Sequence, residues 1–253
     1  AGVPETAGAQ ANIRSITLQG VSFTELWGED HSIVSIGVLL DMTEIKSDYA
    51  ARILDDYAVL SVGSFILGQR DFSSFLEDFF LEIEEKSIEK LVIDLRGNWG
   101  GTPKPAALLL AYLSPEPVRY FNSDAPFYMF NYKRLRKPKE HAFAGTVYVL
   151  MDGCCFSTTA HFISLLKHHG IATLVGEEAA GSASCSDAKR RIVLPHTGMR
   201  VYYSTRVFTT AVEDFTPGRG IEPDYRIGPT VQDIAAGRDP AAEFVAELAG
   251  AGT

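Results

Sequence analysis

From Tyr57 onward the sequence alternates two kinds of segment, and that alternation leaves few architectures open. Short apolar runs recur: YAVLSVGSF (Tyr57–Phe65), LVIDL (Leu91–Leu95), TVYVLM (Thr146–Met151) and IATLVGE (from Ile171). Each has the length and composition of a buried strand. Between them lie segments of helical period. DFSSFLEDFFLEIEEK puts Phe72, Phe75, Leu76, Phe79, Phe80 and Ile83 on one face, with Asp71 as its expected N-cap. PAALLLAYL (Pro105–Leu113) predicts a helix buried on most sides, and another is predicted from about Ser157 to His169. Strand–helix–strand units in succession predict an α/β domain with much parallel sheet.

The flanks read differently. AGVPETAGAQAN is a loose tail without the charged start and apolar core of a signal peptide. A leader removed earlier would leave the same start, so this does not place the chain in the cytoplasm. Ile13–Leu18 and Ile33–Leu40 look like strands, either of a small appended unit or of the main sheet's edge. We therefore divide the chain into 1–56, a tail with a small β element, and 57–253, an α/β core. Toward the C-terminus, RIVLP and MRVYYSTRVF flank the turn HTG and predict a hairpin laid over the core. GRGIEPDYRIGPT reads as a loop or edge segment, and PAAEFVAEL as a short helix capped by Asp239. Internal repeats and low-complexity linkers are absent from the sequence.

Composition removes several function classes. With 253 residues, 46% hydrophobic and 22% charged, the chain fits one large globular domain. A net charge of −9 repels phosphate backbones and argues against nucleic acid. The longest apolar stretches, such as Ala106–Leu113, fall short of the ~20 residues that span a bilayer. Three cysteines, Cys154, Cys155 and Cys185, do not make a disulfide scaffold and lack metal-site spacing. No metal or organic cofactor is implied.

Two loops carry chemistry. DGCCFSTTAHF (Asp152–Phe162) lies between a strand and a helix, where Ser157 would project from the sheet and the first helical amides could hold an oxyanion. The plainer role for a serine at that place is capping the helix. In LVIDLRGNWGG (Leu91–Gly101) a glycine pair lets backbone N–H groups approach a ligand, although a tight turn would need the same glycines. The GxGxxG and GxxxxGK[ST] nucleotide spacings are absent. His161, four residues after Ser157, would share a helix face with it, or else sit as a structural histidine on the helix flank. His141, His168, His169 and His196 read as structural. A cysteine nucleophile at Cys154 or Cys155 is the thiol alternative, buried packing the plain one. The aromatic stretch within Tyr120–Glu140 is either a substrate-side lid or the packing of a long connection.

Taken in order, these segments resemble the C-terminal processing (tail-specific) protease family of serine peptidases. LVIDLRGNWGG is similar to its DLRGNPGG strand-loop, and VYVLMDGCCFSTTAHF to its GSASASE nucleophile segment. ATLVGEEAAGSAS resembles VGE-x-x-x-G-K-G, and GIEPD (Gly220–Asp224) matches G-[IV]-x-PD. The resemblance covers roughly Tyr57 to Ile227. It implies a ClpP/crotonase-like core, Ser157 as nucleophile, and an oxyanion hole from the Thr158 N–H and an N–H of the Gly100–Gly101 pair. It also implies a peptide or protein substrate and leans toward an extracytoplasmic compartment. The oligomeric state stays open.

The departures bear on the base. Where the family has its lysine, this chain has Ser182, and Lys189 follows seven residues later beside Arg190 and Arg191. A branch resembling the tricorn core uses a His and a Glu instead. The Glu position falls near Pro217, and His31 is the sole N-terminal histidine. The reading is a serine hydrolase, a peptidase acting through a Ser157 acyl-enzyme, with His161 first, Lys189 second, or a residue on a missing segment as base. The alternatives are an impaired peptide-binding or regulatory module on the same scaffold and, last, a crotonase-type enzyme acting on acyl thioesters.

Overall fold

The structure is a computed structural model that describes residues 49–66, 69–123, 125, 129–186, 190–213, 215–216 and 218–250. β1 (Tyr49–Ile53) and β2 (Ala58–Val62) form an antiparallel pair. α1 (Gln69–Glu85) buries Phe72, Leu76, Phe79, Phe80 and Ile83, with Phe75 half-buried against the same core. Asp71 is not its cap: the helix starts at Gln69, so Asp71 lies in the first turn, where a carboxylate still meets the positive end of the helix dipole. β3 (Lys90–Asp94) leads to α2 (Pro103–Leu113), which opens on a proline whose missing N–H would have been unpaired anyway.

The long connection holds β4 (Val118–Arg119), α3 (Phe130–Lys133) and β5 (Leu135–Arg136). Tyr120 and Phe121 are buried in the core, so this part of the connection is packing and not a lid. β6 (Thr146–Met151), α4 (Thr158–His168) and β7 (Ala172–Gly176) follow. Then come β8 (Ser184–Ser186), β9 (Arg190–Val193), β10 (Arg200–Tyr203), β11 (Val207–Thr209) and β12 (Tyr225–Arg226). α5 (Val231–Ala236) and α6 (Pro240–Gly250) close the described chain.

A six-stranded sheet in the order β1-β2-β3-β6-β7-β12 organises the molecule, and every neighbouring pair but β1–β2 is parallel. Its strands are apolar on both faces because both faces are covered. Leu91, Ile93, Val149 and Leu174 join the cluster formed with α1, α2 and α4, while the alternate residues Val92, Leu150 and Val175 pack with Ala241, Val245 and Ala249 of α6. Asp239 caps α6 as its sequence predicts, accepting the Ala242 N–H at 3.1 Å. Arg96, just past β3, forks between Asp94 and Asp239 at 2.7 and 2.6 Å and so ties the carboxyl end of β3 to that cap. This is the α/β core expected from the alternation.

Two expectations change. The hairpin forms, but it does not lie over the core: no residue of β9 or β10 is fully buried. MRVYYSTRVF also breaks into two strands, because the Ser204 hydroxyl turns back on the Arg206 backbone, and β11 then pairs with β8. The strands expected at Ile13–Leu18 and Ile33–Leu40 lie outside the described residues, whereas β1, ahead of the boundary drawn at 56, is an edge strand of the main sheet. Among the described residues, no helix is long and apolar enough to cross a membrane.

Candidate active site

The two chemistry-bearing loops leave the carboxyl ends of β3 and β6, which are neighbours in the sheet. Ligands of open parallel sheets collect at such ends. Buried and half-buried polar side chains weld the loops together. Asn98, wholly buried, donates through Nδ2 to the Val62 carbonyl at 2.8 Å. Its Oδ1 accepts the Gly100 N–H at 2.9 Å and the Thr159 hydroxyl at 2.6 Å. The Asp152 carboxylate accepts the Gly97 N–H at 3.0 Å and the Cys154 N–H at 2.9 Å. The Thr158 hydroxyl donates to the Gly101 carbonyl at 2.7 Å. The start of α4 is thus fixed against the glycine loop.

Gly100 is where the fit is tightest. Its φ is +101°, and a Cβ there would lie 2.7 Å from the Phe156 carbonyl and 2.9 Å from both Ser157 Cβ and the Thr158 nitrogen. Only glycine allows that approach.

Ser157 stands at the cap position of α4 but makes no capping bond. Its backbone takes φ 53° and ψ −122°, a region that costs a non-glycine residue about 1–3 kcal/mol. The side chain is half-buried. Two amides beside it are unspent: among the described residues, neither the Thr158 nor the Gly101 N–H donates a hydrogen bond. The Gly100 N–H, by contrast, already belongs to Asn98. Trp99 and Phe156, next to Gly100 and Ser157 in the chain, are 54% and 45% exposed and give the site an apolar rim.

Ser157 and His161 are not joined by a hydrogen bond. The i, i+4 argument needs both residues on helical backbone, and Ser157 has left it. The His161 ring is buried edge-on against Phe121 at 5.5 Å, and its Nε2 has no partner among the described residues. Burial pulls its pKa from 6.5 down to about 4, with the Phe208 backbone pulling weakly the other way.

What does approach Ser157 is Cys185 on β8: Oγ and Sγ are 3.9 Å apart. Burial pushes the Cys185 pKa up, with the Ser157 contact opposing it, so a thiol and not a thiolate faces the serine. Ser182, at the family's lysine position, is occupied locally, donating to the Ser184 carbonyl at 2.7 Å. His31, Lys189 and Pro217 lie outside the described residues. Cys155 is wholly buried, 3.2 Å from the Leu95 carbonyl, with its pKa well up. Cys154 is also shifted upward, by burial, Asp152 and Glu177, so neither is an activated nucleophile.

The family model of peptidase family S41 matches residues 56–227, about two thirds of the chain and all four motifs. The chain belongs to peptidase family S41. Solved structures agree at the level of fold. A Parabacteroides merdae protein described as a peptidase aligns with TM-score 0.57 at 20% identity, over 82% of this chain and 68% of its own. The photosystem II D1 C-terminal processing protease aligns with TM-score 0.52 at 16% identity, over 73% and 49%. Mature CPAF gives 0.57 at 16%, over 78% and 52%. This S41 chain therefore spans about half the length of the last two.

Three residues of the candidate site escape a reading of the sequence. Asn98 sits inside the glycine motif and Asp152 inside a turn-like Asp-Gly, so both look like ordinary loop residues. Cys185 reaches Ser157 only because β8 folds back to pair with β11, more than twenty residues later. No local pattern signals that pairing.

Proposed function

We propose that this chain is a serine peptidase whose nucleophile is Ser157. The observation that carries the reading is a serine at a helix start that caps nothing, held in a strained conformation against the glycine loop, with the Thr158 and Gly101 amides unspent among the described residues. Ser157 Oγ attacks the scissile carbonyl, and the developing oxyanion takes the Thr158 and Gly101 N–H groups, with the positive end of α4 behind them. The Gly100 N–H contributes indirectly, by keeping Asn98 fastened to the loop. The base takes the Ser157 proton during attack and passes it to the amine, which leaves as the tetrahedral intermediate collapses to an acyl-enzyme that water hydrolyses. Trp99 and Phe156 offer apolar walls to an extended peptide.

The sequence offers His161, Lys189 or a residue on a missing segment as the base, and pH separates the first two. His161, with a pKa of about 4, is neutral through the physiological range, so an activity lost only on acidification toward that value assigns the proton to it. An activity that rises only toward alkaline pH assigns Lys189. The test of the function itself is digestion of a mixture of unfolded polypeptides, read by mass spectrometry. New termini with wild type and none with Ser157→Ala support a Ser157 peptidase; the same products from both overturn it.

A second reading has its own observation. The Ser157 hydroxyl's hydrogen-bond neighbour is a thiol, and no basic side chain among the described residues bonds it. A peptide-binding or regulatory module on the S41 scaffold would look like this, and would bind unfolded peptides without cutting them.

A further inference from the structure

The β9–β10 ribbon is a part of the molecule that the peptidase reading leaves unused. A two-stranded ribbon is marginal in water unless something packs on it. Here Ile192, Val193, Tyr202 and Tyr203 are 46%, 53%, 59% and 45% exposed. The register makes both faces alike. On one, Arg191 lies opposite Tyr202 and Val193 opposite Arg200; on the other, Arg190 lies opposite Tyr203 and Ile192 opposite Val201. Each face therefore offers cation, tyrosine and aliphatic carbon together, and tyrosine and arginine are the types that anchor binding surfaces.

It is a basic stretch in an acidic chain, as Lys133–Lys139 also is. Positions 188–212 hold Lys189, Arg190, Arg191, Arg200 and Arg206 and no Asp or Glu, in a protein of net charge −9. Among the described residues, no carboxylate pairs with Arg190, Arg191 or Arg200. Arg219, Arg226 and Arg238, equally at the surface, are held by Glu178, Glu222 and Glu243. An unpaired guanidinium fork is built to take a carboxylate. Because the sheet has two strands among the described residues, neither outer edge has a strand partner there, and each presents N–H and C=O groups.

The ribbon is continuous in the chain with β8, which reaches Ser157, and with β11, which pairs with β8. Three residues, 187–189, join β8 to β9, and three, 204–206, join β10 to β11; β8 carries Cys185 against the serine. We propose that β9–β10 captures acidic, extended peptide segments as an added strand. Calling that peptide a substrate rests on the Ser157 reading; the capture itself needs no turnover. A second copy presenting its acidic α1 is the competing occupant, but a helix cannot use the open edges, and an extended peptide can.

The test uses the full chain carrying Ser157→Ala, so that nothing is cut. Two labelled peptides of equal length share their apolar residues, one with Asp and Glu between them and the other with Lys, and binding is followed by fluorescence anisotropy. The acidic peptide should bind at least about tenfold tighter, the worth of one charge-assisted bond. Added salt should erode the preference. Arg191→Ser with Arg200→Ser, and separately Tyr202→Ala, should remove it; all three positions are exposed, and circular dichroism checks the fold. Equal affinity for the two peptides, or a preference untouched by these substitutions, overturns the proposal. So does sedimentation showing that the arginine variant dissociates a dimer while peptide binding stays the same. Loss of cleavage in wild type with capture intact would instead count against the Ser157 reading alone.

Discussion

Ser157 adopts a backbone conformation that glycine would accept more readily, and it keeps that conformation without a capping bond in return. Replacing it should therefore separate strain from chemistry. Ser157→Gly should raise the unfolding free energy by about 1 kcal/mol, while Ser157→Ala, still strained, should leave it nearly unchanged. Urea denaturation of the two variants checks this. His161 gives a prediction of opposite sense. Its folded pKa of about 4 lies below the unfolded 6.5, so between those values the unfolded chain binds more protons. Stability should fall as pH drops through that window, by about 2 kcal/mol from pH 7 to pH 5. His161→Gln should flatten that slope, as read from urea midpoints at the two pH values. At this scale the sequence located Ser157 but not its dihedrals, since nothing in FST encodes a positive φ. It also put His161 on the serine's face by assuming a helical backbone that begins one residue later.

The elements that matter are two loops and the start of a helix, and Asn98 joins all three. Its buried amide serves the Val62 carbonyl, the Gly100 N–H and the Thr159 hydroxyl. Asn98→Ala should cost about 3 kcal/mol, roughly 1 for each of those bonds, and let the glycine loop move off Ser157. Gly100→Ala meets backbone on one side and Ser157 on the other, at a φ that alanine resists, and should destabilise by about 2 kcal/mol or more. Calorimetry of both variants tests these values. The strand and helix alternation was legible because each element spans several residues of one period. The β8–β11 pairing was not: three-residue strands carry too little pattern, and their partnership is decided by chain reversal at a distance.

For the molecule as a whole, the covered second face of the sheet explains why its strands lack polar alternation. α6 does that covering, fastened by Asp239 at one end and by Lys90, which donates to the Ala249 carbonyl at 2.7 Å, at the other. Val245→Ala should cost about 2 kcal/mol in a urea titration, the transfer and cavity cost of the lost methyls against Val92, Leu150 and Val175. The matching family model and the solved structures fix the scaffold, and the proposed peptidase activity requires Ser157 on it to be a live nucleophile. A fluorophosphonate probe, which phosphonylates activated serines, tests it most directly. Wild type should be labelled at Ser157, located by peptide mapping, and Ser157→Ala should not be labelled; a wild-type chain that stays unmodified across the pH range would contradict the claim.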